Sequence, residues 1–168
     1  MISIERTAYP RLNANRVISQ KHLYSSYTLS IAEINHIKNA VRTNKLRLYY
    51  ALQLKTFQDL GYFVEKDQIP QTIIAHLLKQ LGMPHNTQVP LMHSTTLYRH
   101  HQSIRNYLNI LPWGLIGLQS STRIATQAAY QAAQTLNLPA DIINVVIEEL
   151  KTHHIELPAF STLCRLMR

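Results

Sequence analysis

Two groups of basic residues are spaced so that they could bind a polyanion. Lys38, Arg42, Lys45 and Arg47 crowd into one short stretch, and no acidic residue stands between Glu33 and Asp59. Further on, Arg99 and Arg105 stand among Tyr98, Gln102, Asn106 and Asn109. On a helix, such a mixture supplies the donors used for phosphates and for base edges. Arg123 follows alone. Composition by itself also allows plain solvated helix faces, because charge alone licenses only non-specific attraction.

Other chemistry is poorly supported. His100-His101 and His153-His154 are adjacent pairs, and neighbours on a helix point about 100° apart. A chelating pair needs a spacing of three or four, so no metal site is expected. The nine acidic residues are too scattered for a recognisable acid–base pair. No glycine-rich loop opens a helix, so no phosphate cradle is expected. Cys164 is the single cysteine. It reads as a small core filler, and it excludes an internal disulfide or a cysteine zinc cluster. No catalytic residue and no cofactor are expected.

The elements that would position these residues are helices. Ser30 with Glu33 makes a capping box, and Leu29 with Ile34 can close a hydrophobic staple. Ile34, Ile37 and Val41 fall on one face of that helix. The pattern breaks at Arg42-Thr43-Asn44, and Asn44 is expected to cap the next helix. That helix carries Leu46, Tyr49, Tyr50, Leu52, Leu54, Phe57 and Leu60 around most of its circumference. It should therefore be buried on more than one side. Gly61 ends it. Pro70 opens a helix with Ile73, Ile74, Leu77, Leu78 and Leu81 on one stripe, and Gly82 closes it.

Ser94 or Thr95 caps a helix over about 95–109, with Leu97, His101, Ile104 and Leu108 inward and His101 at the core edge. Ser120 to Thr122 cap an alanine-rich helix over about 123–136. A helix over about 139–153 turns Ile142, Ile143, Val146 and Leu150 inward. Ile155 to Pro158 reads as an extended turn, and a last short helix begins near Ala159. Residues 1–26 read as a basic arm, with a short helix from Val17 to Leu23. Residues 27–168 form the helical domain. No stretch sustains period-two alternation, so the fold is expected to be all-α, compact, with six to eight helices.

The 168 residues suit one domain with a core of its own. Lys and Arg total 17 against 9 for Asp and Glu, a net charge of +8. From Gln68 to Ala140 there is no acidic residue at all. Such a chain attracts DNA, RNA or anionic lipid surfaces. The longest apolar patch, Ile110 to Leu118, is broken by Pro112 and Gly114 and is too short to span a bilayer. No membrane partner is expected, and the N-terminus shows no signal segment. The chain reads as soluble and intracellular.

The order of motifs resembles the N-terminal DNA-binding domain of the transposases of class II replicative transposons, the Tn-three family. The matching residues begin with Tyr27-Thr28-Leu29-Ser30 and Asn44-Lys45-Leu46, then Tyr50-Ala51-Leu52-Gln53-Leu54-Lys55 and Leu60-Gly61-Tyr62-Phe63. Ile69-Pro70 and Leu81-Gly82 follow. Arg99, His101, Ile104-Arg105, Tyr107-Leu108 and Thr122-Arg123 match next. The last are His154-Ile155-Glu156-Leu157-Pro158, Leu163 and Arg165. The resemblance covers about residues 5–168. Arg47 and Leu48 depart from it where a small residue is usual, and so do Asn109 and Leu111 where Gly and Arg are usual.

The resemblance implies recognition of terminal inverted repeats in double-stranded DNA, in a bacterial cytoplasm at the nucleoid. It places strand cleavage and joining in a separate C-terminal catalytic region with three acidic metal ligands. Lys38, Arg42, Lys45, Arg47, Arg99, Arg105 and Arg123 are the DNA-binding candidates. Two other readings stay open. In one, the alanine-rich helix docks on another subunit or on the catalytic region. In the other, tyrosines beside the arginines, Tyr98 or Tyr107, stack on single-stranded RNA.

Overall fold

The computed structural model describes residues 2–114 and 120–168. Of the apolar patch Ile110 to Leu118, residues 115–118 lie outside the described residues. Eight α-helices are present among the described residues, with two short 3-10 turns. The all-α expectation holds. The chain divides into two compact units: residues 11–106 form one, and residues 1–10 with 107–168 form the other.

The first unit is built around α3, Asn44–Leu60. Eleven of its residues are buried, including Leu48, Tyr50, Ala51, Leu52 and Leu54. Helices α1 (Gln20–Tyr27), α2 (Ile31–Ala40) and α4 (Gln71–Gln80) pack against it, and α1 also packs on α4. That is why a helix apolar on nearly every side is stable here. Gly61 caps α3 at φ 85°, a left-handed conformation that suits glycine.

Side chains stitch the other elements on. The buried Tyr50 hydroxyl meets His36 Nε2 at 2.7 Å and Ser103 Oγ at 2.7 Å, linking α2, α3 and α5 (Ser94–Leu108). Gln80 accepts from the Leu29 N–H at 2.6 Å and donates to the Tyr27 carbonyl at 3.0 Å. Asp59 accepts the Tyr27 hydroxyl at 2.6 Å and lies 3.2 Å from His22 Nε2. Burial, and then that bond to Asp59, push the Tyr27 hydroxyl pKa well above its ordinary range.

The Ser30–Glu33 capping box forms as expected. Glu33 does more than cap, however. It is buried, its carboxylate lies 3.3 Å from Lys55 Nζ, and it accepts from Gln58 Nε2 at 3.0 Å. Burial alone would raise its pKa. The Ser30 N–H, Lys55 and Gln58 outweigh that and hold it below the usual range.

Several helix starts differ from expectation. Thr43, not Asn44, caps α3, because its hydroxyl accepts the Leu46 N–H. The first α-helix runs Gln20–Tyr27 and is capped by Ser19, which moves it beyond Val17. Pro70 stands at the cap position of α4, not inside its first turn. In α5 the buried residues are His100 and Ile104, while Leu97, His101 and Leu108 are only half-buried.

The second unit contains α6 (Ser121–Ala132), α7 (Pro139–Thr152) and α8 (Phe160–Leu166). α6 packs on both of the others. Its Ala125, Ala128, Ala129 and Ala132 are buried, so small residues let neighbouring helices approach closely. Residues 2–10 belong here: the Tyr9 hydroxyl donates to the Pro158 carbonyl at 2.7 Å, and the Ala8 N–H donates to Asn144 Oδ1 at 2.7 Å. The Ile155 turn makes an isolated parallel bridge with Leu111.

Candidate nucleic-acid interface

Charge is divided sharply between the units. Residues 11–106 carry twelve Lys and Arg against four Asp and Glu, which accounts for the whole net charge of +8. The other unit carries five of each and is neutral. Of the four acids in the basic unit, Glu33 is paired with Lys55, and Asp59 is bonded to Tyr27 and His22. Electrostatic attraction for a polyanion therefore belongs to residues 11–106.

The junction of α2 and α3 gathers four of the sequence candidates. Lys38, Arg42 and Lys45 are exposed. Arg47 is half-buried and used internally: its Nε donates to the Val41 carbonyl at 2.8 Å and its Nη2 to the Lys38 carbonyl at 3.3 Å. These are carbonyls that the end of α2 leaves without helical partners. Arg47 thus ties the last turn of α2 to the first turn of α3. The result is a fixed basic corner at the start of a 17-residue helix, where the helix dipole adds its own attraction for anions. Lys55, a further cation in the acid-free stretch between Glu33 and Asp59, is buried against Glu33 and adds nothing to the surface.

On α5 the two arginines do not share a face. Six residues at 3.6 per turn set them about 120° apart. Between them runs a stripe of Tyr98, Gln102 and Asn106, in which Gln102 Nε2 donates to the Tyr98 hydroxyl at 3.0 Å. Arg99 is exposed. Arg105 is half-buried, with its guanidinium carbon 5.1 Å from the centre of the Phe63 ring. Phe63 in turn stacks on His101, with centroids 3.7 Å apart and planes within 8°. His101 Nε2 lies 3.1 Å from Gln53 Oε1, so that nitrogen carries the proton. Burial first, then Arg105 and His100, push the His101 pKa down to about 4. It is a neutral spacer under Arg105 at neutral pH.

Arg123 stands exposed in the first turn of α6, in the neutral unit, with its N–H capped by Ser120. The histidine pairs hold no metal geometry: among the described residues no three His, Cys, Asp or Glu are grouped to hold an ion. No helix among them is long and apolar enough to cross a membrane. Sequence reasoning missed the Glu33–Lys55–Gln58 cluster and the turn at residues 13–16. The first was hidden because its partners lie on different helices.

These observations define the class: an all-α protein with one strongly basic helical unit and one neutral helical unit. The chain belongs to the family described as a domain of unknown function, DUF4158, whose model matches residues 1–168. It is also similar to the transposase for transposon Tn501 from Pseudomonas aeruginosa, with 28% identity over 149 residues. That match takes in 88% of this chain and 15% of the relative, so the chain spans a small part of the relative's length.

Proposed function

We propose that this chain is a DNA-binding region of a transposition protein and recognises the terminal inverted repeats of a transposon. The observation that carries the reading is the fixed basic corner of Lys38, Arg42 and Lys45 in a unit holding the entire net charge. The similarity to a transposase supplies the biological setting. In this reading Lys38, Arg42 and Lys45 grip phosphates, and Arg47 holds the corner in shape. Arg99 and Arg105 flank the polar stripe of α5, and Arg105, steadied by Phe63, meets a base edge. Arg123 adds a contact from the neutral unit. Strand cleavage and joining are the work of a catalytic region, and the protein acts in the bacterial cytoplasm at the nucleoid.

The test is a pair of salt titrations, on a repeat-bearing duplex and on a random duplex. Lys45→Ala should weaken binding to both and flatten the salt slope by about one. Arg105→Ala should cost about 1–3 kcal/mol on the repeat and far less on random duplex. Wild-type binding that is equal on the two duplexes defeats repeat recognition. An Arg105→Ala loss that is equal on both makes Arg105 a phosphate contact.

One observation favours a second reading. Tyr98 is 62% exposed beside Arg99, an arrangement suited to stacking an unpaired base. Single-stranded competitor that displaces the duplex, and loses this power in Tyr98→Ala, decides for it. For docking through α6, its Ala125, Ala128, Ala129 and Ala132 are buried, and Tyr130 is a large apolar residue that the helix exposes, at 71%.

A further inference from the structure

The basic unit begins with a stretch that the basic corner and α5 leave unexplained. Arg11 to Ser19 contains no acidic residue, glycine or proline. That is not the composition of a flexible linker. The stretch is held at its base, because Leu12 is buried and Ser19 caps α1. Between these anchors the chain turns back on itself. The Arg16 N–H donates to the Asn13 carbonyl at 3.0 Å, and the Asn15 N–H donates to Asn13 Oδ1 at 3.1 Å. The guanidinium of Arg16 reaches back to the Arg11 carbonyl, which closes the turn from outside.

The turn's tip is open to solvent. Its two central residues are Ala14 and Asn15, and every residue from Asn13 to Val17 is exposed. Val17 is 93% exposed. Small and amide side chains at the tip and one outward apolar residue are poorly matched to phosphate gripping alone, which needs only cations. They match the minor groove of B-DNA, about 6 Å wide, where amide groups meet base-edge acceptors and apolar side chains press against the base steps. The major groove admits a whole helix and would leave so small a tip loosely held.

We propose that the turn Asn13–Val17 enters the minor groove of duplex DNA and favours A·T over G·C pairs there. This rests on the DNA-binding reading above. The physical cause is the guanine 2-amino group, which stands in the groove where A·T pairs present only acceptors. Asn15 at the tip is the residue that meets it.

The experiment uses three duplex polymers: poly(dA·dT), poly(dG·dC) and poly(dI·dC). Inosine lacks the 2-amino group, so dI·dC keeps the minor-groove edge of A·T while its major groove resembles that of G·C. The full chain should bind dA·dT and dI·dC alike, and dG·dC about tenfold more weakly. Asn15→Ala, whose side chain is not needed to close the turn, should bring the three affinities together and leave dG·dC binding unchanged. Val17→Ala should weaken dA·dT and dI·dC binding in parallel, and its melting curve should match the wild type. Grouping of dI·dC with dG·dC would overturn the proposal and point to major-groove reading. Discrimination that survives in both variants would overturn it too. Absence of binding to every polymer would instead sink the DNA-binding reading on which it stands.

Discussion

Replacing Lys55 with methionine isolates the buried pair at the centre of the basic unit. The side chains of Lys55 and Glu33 are 8% and 10% exposed, so removing the ammonium leaves a carboxylate in a nearly closed site. Breaking one side of a buried pair costs about 3–5 kcal/mol. Here Ser30 N–H and Gln58 Nε2 still serve the carboxylate, at 2.9 and 3.0 Å. The loss for Lys55→Met should therefore fall at the lower end, about 3 kcal/mol at pH 7. Adding Glu33→Gln removes the stranded charge and keeps an oxygen for the Ser30 N–H, so the double variant should regain most of the loss. The loss should also shrink on acidification, because an unpaired buried carboxylate protonates more readily than the paired one. Urea unfolding followed by far-UV circular dichroism reads these differences. The single tryptophan, Trp113, sits in the other unit and would report on the wrong half. A Lys55→Met loss below about 1 kcal/mol would refute the desolvation reasoning. So would a double variant no more stable than the single one.

Arg47→Ala should cost about 1–3 kcal/mol, because two carbonyls at the end of α2 lose a charged donor. Thermal melting checks it, and Arg47→Lys should recover only part, since an ammonium cannot span both carbonyls as a guanidinium does. Ser30→Ala should cost about 0.5–2 kcal/mol in the same assay, by removing the acceptor for the Glu33 N–H. Stability should also fall with acid. The pKa values of His36, His100 and His101 are lowered by burial, that of His101 to about 4. The unfolded chain therefore takes up protons, from about pH 6.5 downward, that the folded chain refuses. Glu33, with its lowered pKa, adds a further loss as pH falls through its folded-state value. Urea midpoints at pH 7 and pH 4.5 should differ accordingly, and the gap should narrow in His101→Gln.

How much of this could be read in the sequence depended on range. The Ser30–Glu33 box, the left-handed Gly61 and the crowded circumference of α3 are local, and spacing alone revealed them. The start of α3 was misplaced by one residue because Thr43 and Asn44 are both good caps, and only hydrogen-bond geometry chooses between them. In α5, periodicity favoured His101 as an inward residue. His100 is the one buried, against the Tyr50 ring at 5.3 Å, because aromatic neighbours on α3 accept a ring at that position. The fate of the cations was the least legible. A lysine inside a basic run looks like surface until its partner, twenty-two residues earlier on another helix, is placed beside it.

The same distinction bears on what a basic surface is. Seven residues were selected from sequence by charge, yet charge does not separate a residue that meets a ligand from one that shapes the surface. Arg47 lends both ends of its guanidinium to backbone carbonyls, and the guanidinium of Arg105 lies against Phe63. Lys38, Arg42 and Lys45 keep their side chains at the surface around the helix start that Arg47 secures. A guanidinium committed to carbonyls gives up its donors to hold the corner, whereas an exposed ammonium can follow a phosphate. The division of labour predicted for binding follows from geometry. Loss of an exposed lysine should lower affinity with the fold intact. Loss of Arg47 should lower stability first, and affinity only through the loosened corner.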